Sequence, residues 1–246
     1  MTLRRFFIDD LLADDMVIGG NEAHHMQHVL RLCAGDQVII VAADGQAGIA
    51  NIVSLGQRQI TLKLLERLTE NQEAPVEVVL AQGLPKSDKM DYIVQKAVEL
   101  GVTAIVPLAA DESVVKYDQN KQQARQTRWQ KIAFEAAKQC RRNRVPTVGA
   151  VQNLRQFLSS VGSDTQIIML YEGQTPVGIK QALTAQKSRR YVLIIGPEGG
   201  FSADEVALAQ EKGAQLVTMG PRILRTETAA VAAITVVMYH HGDLGG

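Results

Sequence analysis

The chain has only two cysteines, Cys33 and Cys140. Neither belongs to a CxxC pair, so neither a disulfide framework nor a thiolate zinc site is supported and a reducing compartment fits. Long apolar runs are absent too. The longest, Ala229 to Tyr239, is about half of the ~20 residues that span a bilayer; it is rich in alanine, is broken by Thr235 and reads as a buried helix. The start carries Arg4 and Arg5, but Phe6, Phe7 and Ile8 meet Asp9 and Asp10 at once, so no signal-peptide core forms and a cytoplasmic protein is expected. Repeats and low-complexity tracts are also missing. With 46% hydrophobic and 21% charged residues, the 246-residue chain lacks the apolar depletion that marks disorder and should fold throughout, as two domains.

Net charge is zero, yet it is unevenly spread. Between Asn120 and Pro146 stand Lys121, Arg125, Arg128, Lys131, Lys138, Arg141, Arg142 and Arg144 against Glu135 alone, a local +7 that leaves −7 elsewhere. In a helix over Lys121 to Arg142, Trp129, Ile132, Ala133, Ala136, Ala137 and Cys140 share one face, and Arg128, Lys131, Lys138 and Arg142 the other. Such a cationic stripe suits phosphate contacts, and it also describes an ordinary solvated face.

Residues 1–70 favour strands. Val38 to Val41 and Ala47 to Val53 flank Asp44-Gly45, a tight hairpin turn; Gln59 to Leu65 alternates, and Arg5 to Ile8 adds a further strand. A small β-barrel with a helical insert, Asn21 to Leu32 capped by Asn21, is the economical expectation. The polar stretch Thr69 to Pro75 marks a linker. In residues 71–246 the apolar runs Val76 to Ala81, Thr103 to Val106, Gln166 to Tyr171, Tyr191 to Ile195 and Gln215 to Met219 alternate with helical stretches. Those helices lie around Asp88 to Leu100, Lys121 to Gln139, Pro176 to Ala185 and Ala203 to Lys212, with stops at Gly101 and Gly213. This alternation predicts an α/β domain with a mostly parallel sheet covered on both faces.

Two turns carry the chemistry. After Tyr191 to Ile195 comes Gly196-Pro197-Glu198-Gly199-Gly200-Phe201, and then Ser202 and Glu205 at the spacing of a capping box. Ligands of open α/β sheets bind beyond such strand ends, where bare backbone can approach them. The loop fits neither dinucleotide nor P-loop pattern, and Glu198 would repel phosphate; a ligand with adenosine and positive charge suits it better. A plain strand-to-helix turn would need the same glycines. The second turn, Met219-Gly220-Pro221-Arg222-Ile223-Leu224-Arg225-Thr226-Glu227, places two arginines and a glutamate before an alanine-rich helix.

The Gly196–Gly200 loop together with Leu224-Arg225-Thr226-Glu227-Thr228-Ala229 resembles the paired signature of the SPOUT methyltransferases, specifically the 16S ribosomal RNA uridine-N3 methyltransferase family. Arg4-Arg5-Phe6-Phe7, His25 with Val29-Leu30-Arg31, Gly35-Asp36, Leu84-Pro85-Lys86, Gln95 to Gly101 and Arg128 to Ile132 extend the resemblance over essentially the whole chain. It implies a SPOUT domain with a deep trefoil knot, a PUA-like N-terminal barrel for RNA, a homodimer, and methylation of uridine N3 in 16S ribosomal RNA within the small subunit. The implied S-adenosylmethionine site comprises Leu170, Glu172, Gly196, Pro197, Glu198, Gly199, Gly200, Met219, Gly220, Ile223, Leu224 and Thr226.

Deprotonating uridine N3 spreads negative charge onto the flanking carbonyl oxygens, a task for Arg222 or Arg225, with Glu198 or Glu227 orienting groups or accepting the proton. Arg4, Arg5, Arg31, Arg128, Lys131, Lys138, Arg141 and Arg142 are the expected RNA contacts. His24 and His28 form an i,i+4 pair, but only Glu22 stands near to complete a set, so no metal is expected. The competing readings are a knotted enzyme acting on transfer RNA or a ribose hydroxyl, and a non-catalytic RNA-binding assembly factor.

Overall fold

Side-chain alternation builds the N-terminal sheet in the computed structural model, which describes residues 3–69, 71–113, 117–173 and 177–246. Its strands are β1 (Arg5–Phe7), β2 (Asp15–Gly19), β3 (Gln37–Val41), β4 (Ala47–Leu55) and β5 (Gln59–Leu68), in the order β1-β3-β4-β5-β2. β1 runs parallel to β3 and the other pairs are antiparallel. Ile40, Ile52, Ile60 and Leu62 point inward from three strands and meet Phe6 and Met26 in one core. Gly45 has φ +86° in the turn between β3 and β4, where the Ala42 N–H donates to Gln46 O at 2.8 Å. Among the described residues β1 and β2 do not pair with each other, so the expected barrel is open along one seam.

Two local features differ from expectation. β2 escaped notice because Met16-Val17-Ile18 reads as an unbroken run, whereas Met16 and Ile18 are buried and Val17 between them is exposed. The helix expected over Asn21 to Leu32 is α1 (Gly20–His24) followed by a π-helical turn at His25–Val29. Gly19, not Asn21, is its N-terminal cap, with no side-chain bond. The Leu30 N–H reaches back five residues to His25 O at 3.0 Å.

By its contacts the chain divides into residues 1–73 with 138–144, and residues 74–137 with 145–246. The division falls after Glu73, inside the expected linker Thr69 to Pro75, of which Glu70 lies outside the described residues. The returning segment joins the first unit through charge. Arg142 Nη2 is 2.5 Å from Glu73 Oε2, and Glu73 Oε1 also accepts the Asn143 and Arg144 N–H groups. Lys138 binds Glu22 at 3.1 Å and lies over the Phe6 ring, while Arg5 Nη1 donates to Arg142 O and Asn143 Oδ1.

The second unit holds a wholly parallel sheet of β6 (Glu77–Gly83), β7 (Ala104–Leu108), β8 (Thr147–Val148), β9 (Gln166–Leu170), β10 (Arg190–Ile195) and β11 (Gln215–Val217). Their order is β11-β9-β10-β6-β7-β8. The helices are α2 (Lys89–Glu99), α3 (Gln119–Gln139), α4 (Leu154–Ser160), α5 (Ile179–Ala185), α6 (Ala203–Glu211) and α7 (Thr226–His241). Pro176, expected to open α5, lies outside the described residues. Tyr191 to Ile195 is buried at every position, as a strand covered on both faces requires. Val192 and Ile194 pack with Phe157 and Leu158 of α4 and Val206 and Ala209 of α6. α7 packs against α2, α5, β6 and β10, burying Ala229, Ala230, Ala233, Ile234, Val237 and Met238. Its small residues bring the backbone close, while Ile234, Val237 and Met238 each contribute about 1.5–3 kcal/mol of burial. β8 and α4 went unpredicted, being too short to show a period. Among the described residues no helix is long and apolar enough to cross a membrane.

Candidate active site

In a parallel sheet all the carboxyl ends of the strands lie along one edge, and here that edge gathers the two glycine turns. The loop after β10 and the loop after β11 are bonded to each other. Thr226 Oγ1, in the first turn of α7, donates to Gly196 O at 2.6 Å. Behind it the fully buried Gln82, near the end of β6, donates from Nε2 to Thr226 Oγ1 and to Gly83 O, both at 2.9 Å. Together they enclose one cavity of about 640 Å³, within the size range of small-molecule sites.

Close backbone approach shapes this loop. A Cβ on Gly83 would lie 2.5 Å from Pro197 N and 2.9 Å from Gly196 C, so only glycine lets β6 support the turn. Gly200, at φ +74°, closes the turn with its N–H donating to Pro197 O at 2.9 Å. α6 then starts on the expected capping box: Glu205 N–H donates to Ser202 Oγ at 3.2 Å and Ser202 N–H to Glu205 Oε2 at 3.0 Å. Burial raises the Glu205 pKa, although the Ser202 and Asp111 amides favour its charged form.

Every residue expected around the cofactor lines this cavity: Leu170, Glu172, Gly196 to Gly200, Met219, Gly220, Ile223, Leu224 and Thr226. Arg222 and Arg225 line it as well; both are exposed, and among the described residues their side chains have no bonded partner. Glu227 is placed differently, in the first turn of α7 and 3.2 Å from an ammonium that sequence reasoning missed, Lys89 Nζ. The same ammonium is 2.8 Å from Glu198 Oε1, and the Lys86 N–H donates to both Glu198 oxygens at 3.2–3.3 Å. Burial pushes the Glu198 carboxyl up, but the Lys89 bond with the Glu198 and Lys86 amides outweighs it, and the net shift is downward. Lys89 is held above its ordinary value, chiefly by its bond to Glu198.

This changes the role of Glu198. A carboxylate held below its ordinary pKa is a weaker proton acceptor, and the charge of Glu198 is answered by Lys89 rather than offered to a cationic ligand. The carboxylate that lines the cavity without a bonded partner among the described residues is Glu172. Gln82, Lys89, Tyr171 and Phe201 went unforeseen at the site. A signal for Lys89 existed, since residues just after β6 must share the sheet edge with those after β10.

The expected cationic face is smaller than its sequence pattern. Arg142, with a side chain 5% exposed, and Lys138, at 11%, are held by Glu73 and Glu22 and cannot present their charge to a phosphate. Arg5 is likewise engaged with Arg142 O and Asn143. Arg128 is exposed but forms a two-nitrogen bond with Asp91, and Arg125 pairs with Asp88. Arg4, Arg31, Lys131 and Arg141 remain exposed. The His24 and His28 rings lie 4.7 Å apart, and among the described residues no cluster of three His, Cys, Asp or Glu could hold a metal.

Comparison with known proteins follows the same outline. A family profile described as an RNA methyltransferase domain matches residues 72–238, and one described as an RNA methyltransferase PUA domain matches residues 18–65. The chain is 37% identical over 234 residues to the ribosomal RNA small subunit methyltransferase E of Bacillus subtilis, covering 93% of this chain and 91% of that protein. It is 35% identical to the Synechocystis protein of the same name, over 88% of this chain and 70% of the relative. Among solved structures, that of the Neisseria gonorrhoeae ribosomal RNA small subunit methyltransferase E bound to S-adenosyl methionine superposes with a TM-score of 0.87 at 32% identity, covering 98% of this chain and 99% of that one. A Legionella pneumophila methyltransferase with bound cofactor SAM gives 0.87 at 30% identity, over 99% and 100% of the two chains.

Proposed function

The chain belongs to the ribosomal RNA small subunit methyltransferase E family, and from that premise we propose that it methylates N3 of a uridine in 16S ribosomal RNA, using S-adenosylmethionine. The observation that carries the reading is the Thr226 to Gly196 bond, which joins the two signature turns into one cavity. The cavity suits this cofactor. Leu170, Ile195, Val217, Met219 and Leu224 supply apolar wall for an adenine, the glycine turn leaves backbone groups bare, and Glu172 supplies an unpaired carboxylate. When bound, S-adenosylmethionine provides a methyl carbon made electrophilic by its sulfonium.

The protein's part is alignment and charge. An in-line displacement needs donor and acceptor held in alignment, and the two bonded turns fix the donor's side of the site. As N3 gives up its proton, charge grows on the uracil oxygens, and Arg222 and Arg225, with no bonded partner among the described residues, are the cations able to meet it. Glu198, tied to Lys89 and the Lys86 amide, orients the turn instead of accepting the proton. The exposed Arg4, Arg31, Lys131 and Arg141 suit the RNA backbone.

Residues 1–70 as a PUA-like RNA-binding domain, residues 71–246 as the catalytic domain, the trefoil knot, the homodimer, the assembled subunit as substrate and a cytoplasmic location complete the proposal. The seating of β10 between β9 and β6, with the chain beyond β11 returning to bond the β10 loop, suits a threaded C-terminus. The test is to incubate the protein and labelled S-adenosylmethionine with small-subunit particles from a strain lacking it, then digest the RNA and identify the labelled nucleoside by mass spectrometry. Label on N3 of uridine is expected. Label on a ribose, on transfer RNA alone, or on nothing refutes the reading.

A further inference from the structure

Three parts of the fold meet at one ammonium. Lys89 opens α2 after the β6 turn, Glu198 lies in the turn after β10, and Glu227 stands in the first turn of α7. Lys89 Nζ is 2.8 Å from Glu198 Oε1 and 3.2 Å from Glu227 Oε2, and the β6 turn adds the Lys86 N–H on Glu198. Without the cation two carboxylates would face one gap, an arrangement that like charges oppose.

We propose that Lys89 is a positioning residue for methyl transfer: its ammonium holds Glu198 and Glu227 together and so keeps the β6 turn, the β10 turn and the start of α7 closed around the cavity. This role rests on the methyltransferase reading given above.

The lysine is aimed from behind. Asp88 and Asp91, on either side of it, are tied to Arg125 and Arg128 of α3, which fixes the first turn of α2. Ser87 is held at φ +60°, a backbone conformation that a non-glycine residue keeps only where its surroundings insist. Thr226, beside Glu227, is pinned independently by Gln82 and Gly196. The β10 turn and the start of α7 are thus already joined by one neutral bond, and Lys89 is the charge common to the two carboxylates they carry. Glu172, Arg222 and Arg225 line the same cavity, Lys86 adjoins Glu198 through its amide, and Asp88 and Asp91 on α2 are paired with Arg125 and Arg128.

The sign of the pH effect follows. With Lys89 present, Glu198 stays ionised below the usual carboxylate range. Removing the ammonium leaves burial unopposed by that bond, so Glu198 takes a proton at higher pH and the turn loosens there.

The experiment uses full-length K89M and K89R, with methylation of unmodified small-subunit particles followed from about pH 5 to 9 and S-adenosylmethionine affinity measured by calorimetry. At neutral pH, K89M should lose about tenfold or more of kcat/KM, the worth of one charge-assisted hydrogen bond. Its activity should also fall off at higher pH on the acid side than that of wild type, and K89R should recover most of the loss. If K89M melts early, K89Q supplies the same comparison. Variants within about twofold of wild type overturn the role, as does an equal loss at every pH that K89R does not recover. A wild-type protein that methylates nothing sinks the functional reading and this role with it; an active wild type with indifferent Lys89 variants sinks this role alone.

Discussion

Replacing Thr226 by valine deletes one hydroxyl at the junction of the two turns. That hydroxyl donates to Gly196 O at 2.6 Å and accepts from Gln82 Nε2 at 2.9 Å. Thr226 is 6% exposed and Gln82 0%, so water cannot readily take its place. Gln82 Nε2 keeps its bond to Gly83 O, which limits the damage on that side. The loss is thus the cost of an unmet Gly196 carbonyl, about 1–3 kcal/mol, and about 2–3 kcal/mol is expected. For a chain of this size each kcal/mol moves Tm by about 2–4 °C, so a fall of about 4–12 °C should appear by scanning calorimetry. S-adenosylmethionine affinity should fall in parallel, because the bond sets the spacing of the turns that form the cavity. T226S keeps the hydroxyl and should recover most of both. A T226V protein that melts within about 1 °C of wild type and binds the cofactor equally well would refute the claim that this bond joins the turns.

Gly83→Ala places a Cβ against the backbone of Pro197 and Gly196, so cofactor affinity should drop about tenfold to a hundredfold by titration calorimetry; unchanged affinity would show that the β10 turn does not rest on β6. Arg225→Ala should reduce kcat roughly a hundredfold while cofactor affinity stays within about twofold, and normal turnover on ribosomal particles would remove Arg225 from the mechanism. Arg142→Met leaves Glu73 with only the Asn143 and Arg144 N–H groups in a site where the arginine side chain is 5% exposed, so it should destabilise by about 3 kcal/mol without changing the salt dependence of RNA binding. Lys131→Ala should do the reverse, leaving stability within about 0.5 kcal/mol and lowering the salt slope by about one; the opposite pairing of effects would return Arg142 to the RNA surface.

Features governed by neighbours in the chain were legible. The β10 run from Tyr191 to Ile195 announces a strand covered on both faces because every position is apolar, and the Ser202 and Glu205 capping box marks the start of α6 because its two bonds span three residues. The glycine turns could be identified as turns for the same reason. Strand β2 was not legible, since Val17 is apolar yet exposed, and nothing in Met16-Val17-Ile18 distinguishes the side chain that faces water.

Charge is where tertiary structure took over. The 3.6-residue period assigns Lys138 and Arg142 to the polar face of α3, but the carboxylates that claim them, Glu22 and Glu73, lie 116 and 69 residues away. Glu198 meets Lys89 across 109 residues, turning a seemingly free acid into half of an ion pair. The chain's order therefore determined β10, the start of α6 and the ligand turns, because these depend on local periodicity and backbone conformation. Which charges remain free for a cofactor or an RNA was decided by the fold, because electrostatic attraction depends on distance in space, and in a parallel sheet the residues that share an edge come from distant parts of the chain.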